Sequence, residues 1–181
     1  MGTPCYVGAA DPAQPSIVRA RYVHADGYPS SLIPQLRGIW ASTAHRDTTA
    51  LINAVLAHDW DHLEADVTPG PASVPGRHPV AGVGVTLDDT SQEPATVFPL
   101  HRAIDLGASW IYLINPADDT VTVHSDDGDP VGAYLLDWRA RRTAVPSSAP
   151  RNRPQLATPD HAVATRARRA RCLSAARRRP G

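Results

Sequence analysis

The sequence predicts an α+β fold: a single antiparallel or mixed sheet packed against a two-helix hairpin, followed by a disordered basic C-terminal tail. Three observations predict it. Short β-branched and aromatic runs bounded by turn residues occur at 17–24 and 110–124. Two stretches between residues 30 and 58 carry apolar residues at helical spacing. After Trp138 the apolar period stops, and arginine, alanine and proline take over. The expected division is a domain at 3–138 and a tail at 139–181.

A chain of 181 residues can bury one proper core. Eighteen prolines and twelve glycines are many for a helical protein, so frequent interruptions are expected. The neutral net charge hides a split. Residues 1–138 hold six arginines against seventeen acidic residues, a charge of −11. Residues 139–181 hold twelve arginines against Asp160 alone, a charge of +11. Lysine is absent, as GC-rich coding DNA favours. No apolar run reaches the length of a membrane span. The N-terminus lacks a basic start followed by an apolar stretch, so no secretory signal is expected and the localisation read is cytoplasmic. Cys5 and Cys172 sit in unlike contexts and read as reduced thiols.

Taken in order, Cys5-Tyr6-Val7-Gly8 is a short strand. The next strand, at 17–24, puts Val18, Ala20 and Tyr22 on one face. Ile17, Arg19, Arg21 and Val23 fall on the other, which the arginines make partly wet. Asp26-Gly27 stops the strand, Gly27 supplying a positive φ. Ser30 or Ser31 caps a helix over 30–44, with Pro34 in its first turn and Leu32, Leu36, Ile39 and Trp40 on one stripe. Asp47 caps a second helix at 47–58, which continues or bends through 58–63. Residues 66–79 are loop, 80–87 an alternating strand, 88–93 an acidic turn and 100–106 a short helix. The segments 110–114 and 120–124 form a hairpin across a five-residue turn. The first arm is apolar on both faces, so it is central. A last strand covers 132–136. The expected core is Trp40, Val55, Leu56, Ile111, Leu113, Val121, Val123 and Leu135.

Tyr22-Val23-His24, the turn Asp26-Gly27-Tyr28-Pro29 and the 110–124 hairpin together resemble small uncharacterised proteins of actinobacteria and their phages. These carry an Asp-Gly-Tyr-Pro strand-turn-helix motif. The resemblance spans residues 15–137. It implies no established activity and transfers no functional residue.

Three sets of residues are candidates for chemistry. His24, Asp26 and Tyr28 surround one turn, and Cys5 could join them as a nucleophile if a base made it a thiolate. The structural account competes: turn bonding by Asp26, a braced helix start, and a buried Cys5. His58 and His62 are one helical turn apart on the expected helix, a spacing that reaches one zinc ion. However, Asp59 stands where the strong motif has Glu, and no third ligand follows. Arg166, Arg168, Arg169, Arg171, Arg177, Arg178 and Arg179 can neutralise phosphates, without sequence preference because no aromatic follows Trp138.

The function expected is a non-enzymatic accessory or protein-interaction module, linked to a mobile element, with no cofactor and no membrane association. Its protein partner is not specified by the sequence. The alternatives are a small hydrolase-like enzyme around His24, Asp26, Tyr28 and Cys5, and weak non-specific nucleic-acid binding through the tail.

Overall fold

In a computed structural model, described for residues 2–71, 74–87 and 94–138, the chain builds one mixed sheet flanked by helices. Strand Cys5–Ala10 (β1) pairs antiparallel with Ile17–Val23 (β2). The chain then passes through helices Pro29–Ala41 (α1) and Thr48–Val55 (α2). It returns as Trp60–Leu63 (β3), parallel to β2 at Val23–Trp60. Neighbouring parallel strands require a crossover, and the two helices supply it, which sets them against one face of the sheet. Pro79–Val80 (β4), Gly84–Thr86 (β5) and Thr96–Pro99 (β6) follow, then a 3-10 helix at Leu100–Leu106. Trp110–Asn115 (β7), Thr120–Ser125 (β8) and Pro130–Leu135 (β9) complete the sheet. The strand order is β4-β5-β3-β2-β1-β7-β8-β9, with β6 beside β2.

β7 lies inside the sheet, parallel to β1 and antiparallel to β8. Its alternation explains why both faces are apolar. Tyr112 and Ile114 join the large core under the helices, with Val7, Val23, Leu36, Ile39, Trp40, Leu51 and Trp60. Ile111 joins a smaller cluster with Val18, Ala20, Phe98 and Ala103, beside the 3-10 helix. Edge strands invite further pairing, and proline, which has no N–H to offer, blunts them. Pro79 stands in β4, Pro99 in β6 and Pro130 in β9. Part of the high proline content therefore serves the sheet margins.

Several expectations change. The described residues form nine strands, where the sequence marks six. The strand expected over 80–87 is two short ones around a turn, with Gly82 at φ +67°. β6 carried no alternation long enough to predict it. α1 begins at Pro29, whose fixed φ suits a first helical position, so neither Ser30 nor Ser31 is the cap. Pro34 lies past the first turn and is exposed. Asp47 does cap α2, accepting from the N–H groups of Thr49 and Ala50. That helix ends at Val55, and residues 60–63 are strand. Arg21 is buried instead of wet, and its Nε–H donates to the carbonyl of Leu56. Leu56, Leu113 and Leu135 are half-buried, while Leu136 enters the core. The acidic turn at 88–93 and the tail at 139–181 lie outside the described residues.

Candidate functional site

The turn joining β2 to α1 is held from beneath. Gly27 N–H donates to the carbonyl of Thr3 (2.9 Å), and the buried Tyr112 hydroxyl donates to the carbonyl of Gly27 (2.6 Å). A Cβ on Gly27 would come within 2.4 Å of the Thr3 oxygen and 2.9 Å of the Cys5 Cβ. Gly27 is thus required for close approach. The positive φ belongs to Asp26 at +60°, not to the glycine. Aspartate tolerates that conformation better than most side chains.

The structure separates the four candidates around this turn. Cys5 is 0% exposed, and burial pushes its thiol far above the usual range, which suppresses the thiolate. His24, Asp26 and Tyr28 are exposed. The His24 ring leans toward Tyr22, with Nδ1 3.5 Å from the Tyr22 hydroxyl. Tyr28 lines an open groove of ≈ 460 Å³ with Pro4, Ile104, Trp110 and Asp126. Asp26 lines a different cleft, of ≈ 530 Å³, with Ser30, Ser31, Gln35, His62 and Glu64. The Asp-Gly-Tyr-Pro turn therefore contributes to two depressions.

His58 and His62 do not share a helix face, because α2 ends before either. His58 packs edge-on against the Trp60 ring at 5.5 Å. Burial first, and then the neighbouring Arg21 cation, lower its pKa, while Asp59 acts in the opposite direction. Asp59 is committed elsewhere, accepting from the Tyr22 N–H (3.0 Å) in the gap between β6 and β3 along one edge of β2. His62 sits in β3 with Nδ1 3.1 Å from Asp61, whose other oxygen meets Arg77 at 3.0 Å. Its Nε2 is 3.6 Å from Glu64. Among the described residues no group of three His, Cys, Asp or Glu side chains is arranged to hold a metal. The helical reading failed because 58–63 has no long strand-like alternation. Pairing with β2 decides that segment.

A third groove was not anticipated. It measures ≈ 390 Å³ and lies between α1 and the chain leaving β9, lined by Arg37, Trp40, Arg46, Leu136, Asp137 and Trp138. Arg46 stands over the Trp40 ring at 5.9 Å, and its Nη1 is 4.0 Å from Asp137. Arg37 Nε–H donates to the carbonyl of Leu135 (2.9 Å). Trp40 is itself fixed by donation from Nε1 to the Thr48 hydroxyl (2.9 Å). His45 and Arg46 are consecutive non-glycine residues with φ of 51° and 65°. The available signal was the pair of arginines in a strongly acidic region. Only the fold brings them to one groove with two tryptophans.

The tail arginines Arg166, Arg168, Arg169, Arg171, Arg177, Arg178 and Arg179 lie outside the described residues. No described helix is long and apolar enough to cross a membrane. No protein-family model, curated protein or solved structure matches this chain.

Proposed function

We propose that this protein is a non-enzymatic accessory or protein-interaction module, acting in the cytoplasm and linked to a mobile element, that engages a partner through the turn at residues 26–28. The observation that carries the reading is Tyr28. This aromatic is 56% exposed beside the exposed Ile104, on a turn whose backbone is pinned by two hydrogen bonds, one from the buried Tyr112. A large side chain held in solvent by a rigid base loses little freedom on binding, and tyrosine is a favoured interface anchor. The sealed Cys5 thiol supports the same reading over a nucleophilic one. The fold proposed with it is a single sheet covered by α1 and α2 acting as a hairpin.

The test is site-specific photo-crosslinking in cells, with a benzophenone side chain at position 28 and, as control, at the exposed Asn53 of α2. A discrete adduct from position 28 and none from position 53 is the expected outcome. Identical adducts from both positions, or none from position 28, would reject the reading. Stoichiometric zinc in the purified protein, lost on His58→Ala, would also reject it.

A further inference from the structure

We propose that the groove beside Tyr28 receives an arginine side chain of the partner protein, its guanidinium set over the Tyr28 ring and paired with Asp126. The inference rests on the reading of Tyr28 as a docking residue and adds the chemistry of what docks. Three parts of the fold meet at this groove of ≈ 460 Å³: the turn bearing Tyr28, the 3-10 helix with Ile104, and the β8–β9 turn with Asp126. The walls are held from behind. Gly27, next to Tyr28, is fixed by bonds to Thr3 and Tyr112. In the β8–β9 turn the Gly128 N–H donates to the Ser125 carbonyl (3.0 Å) and the Ser125 N–H to the Asp129 carbonyl (2.9 Å). His124 Nδ1 lies 2.9 Å from the Gly128 carbonyl oxygen. A Cβ on Gly128 would stand 2.7 Å from the carbonyl oxygen of Leu100, so this turn rests against the start of the 3-10 helix. The groove is therefore formed before a partner arrives, which lowers the ordering cost of binding.

The lining selects the ligand. Among the described residues, Asp126 is the one charged residue lining the groove. Its carboxylate accepts the Asp127 N–H (3.1 Å) and makes no ion pair among the described residues. Tyr28 and Ile104 are 56% and 55% exposed, so an aromatic ring and an aliphatic surface lie open in the same groove. A partner that covers the groove takes water away from Asp126. A purely apolar segment would strand that carboxylate, a cost its apolar contacts would have to outweigh. An acidic segment would be repelled. A cation replaces the lost hydration, and arginine suits the lining best. Its planar guanidinium lies flat on a tyrosine ring and donates two parallel hydrogen bonds to a carboxylate. Its aliphatic stem covers apolar surface such as Ile104. An ammonium is more strongly hydrated and pairs as a point charge, so lysine fits less well.

The experiment has two arms, both on the full chain. In the first, Nα-acetyl-argininamide and its neutral, nearly isosteric citrulline counterpart are titrated separately while NMR follows the indole N–H of Trp110, which lines the groove. The arginine probe should shift that resonance saturably and the citrulline probe should not. Asp126→Asn, which keeps the oxygen that accepts the Asp127 N–H, should weaken the arginine probe about threefold to fivefold. Tyr28→Leu should weaken it about threefold, and Tyr28→Phe should match the parent, because the cation meets the ring face. In the second arm, the benzophenone side chain at position 28, itself aromatic, is combined in cells with Asp126→Asn or Asp126→Glu. The adduct should be lost with the first and kept with the second. An undiminished adduct in Asp126→Asn would overturn the arginine inference while leaving Tyr28 a docking residue. No adduct from the parent chain would overturn both. Equal shifts from the two probes, or a crosslink from position 28 to the chain's own residues 139–181, would overturn the inference as well.

Discussion

Two connections flank α1, and both place non-glycine residues at positive φ. Before the helix, Asp26 takes φ +60° while the adjacent Gly27 does not. After it, His45 and Arg46 take φ of 51° and 65° in succession. The first is anchored in the interior by the Tyr112 hydroxyl and packs Gly27 against Thr3 and Cys5. The second is fixed by local backbone bonds from Ala44, Arg46 and Asp47 and rests on the Trp40 ring. The difference shows what each site needs. The first spends its glycine on space, so strain falls on a tolerant aspartate. The second carries no glycine and keeps its side chains, so strain falls on residues that glycine would relieve.

The largest effect should come from removing the space. Gly27→Ala should cost about 3 kcal/mol, because backbone oxygen and the Cys5 side chain cannot both retreat. Gly70→Ala, where a Cβ meets nothing within 4 Å, is the control and should be nearly neutral in the same urea titration. Next comes the anchor. Tyr112→Phe strands the Gly27 carbonyl and should cost about 1–3 kcal/mol.

The same anchor has a pH signature. Burial raises the folded-state pKa of Tyr112 above its unfolded value, with neighbouring Cys5 and Tyr134 adding to the shift. Its stabilising contribution is therefore complete below about pH 10 and is lost as pH rises beyond it. Alkaline unfolding should be steeper in the parent than in Tyr112→Phe. A parent and variant with parallel alkaline curves would separate Tyr112 from the turn's stability.

Relief of strain is smaller and opposite in sign. His45→Gly should stabilise by about 0.5–1 kcal/mol, and Asp26→Gly by less, because aspartate accepts the left-handed region. Equal gains at both sites would erase the proposed contrast. The smallest effect concerns His58, which borders the first connection's strand partner. Its folded pKa is depressed, so its contribution is present above the unfolded value of about 6.5 and is lost as pH falls. His58→Phe should flatten the acid limb of the stability curve without moving its plateau.

Much of the fold was legible where a pattern was long and local. The run at 110–114 reads as a central strand because both of its faces are apolar, and β7, which contains it, lies between β1 and β8. Asp47 reads as a cap because its carboxylate serves N–H groups two and three residues away. The segments misread were short or polar. The peptide Trp60–Leu63 has too few residues to show a period, and β6 owes its existence to β2. The candidate sites were less legible still. Sequence drew attention to Asp26 and Tyr28, yet the fold sends them to different depressions. Arg37, Arg46 and Trp138 are spread over about a hundred residues, and no local rule joins them.

The sequence by itself determined the α+β class, the strand at β7, the β7–β8 hairpin, the Asp47 cap and the charge split between 1–138 and 139–181. These follow from side-chain period, hydrogen bonding over a few residues, and counting. Only the tertiary structure decided that Gly27 is needed for room, that Arg21 is buried, that 60–63 is strand, and that two arginines and two tryptophans share a groove. Each of those depends on which distant backbone or ring lies within a few ångströms, and close approach between remote segments leaves no mark on local periodicity.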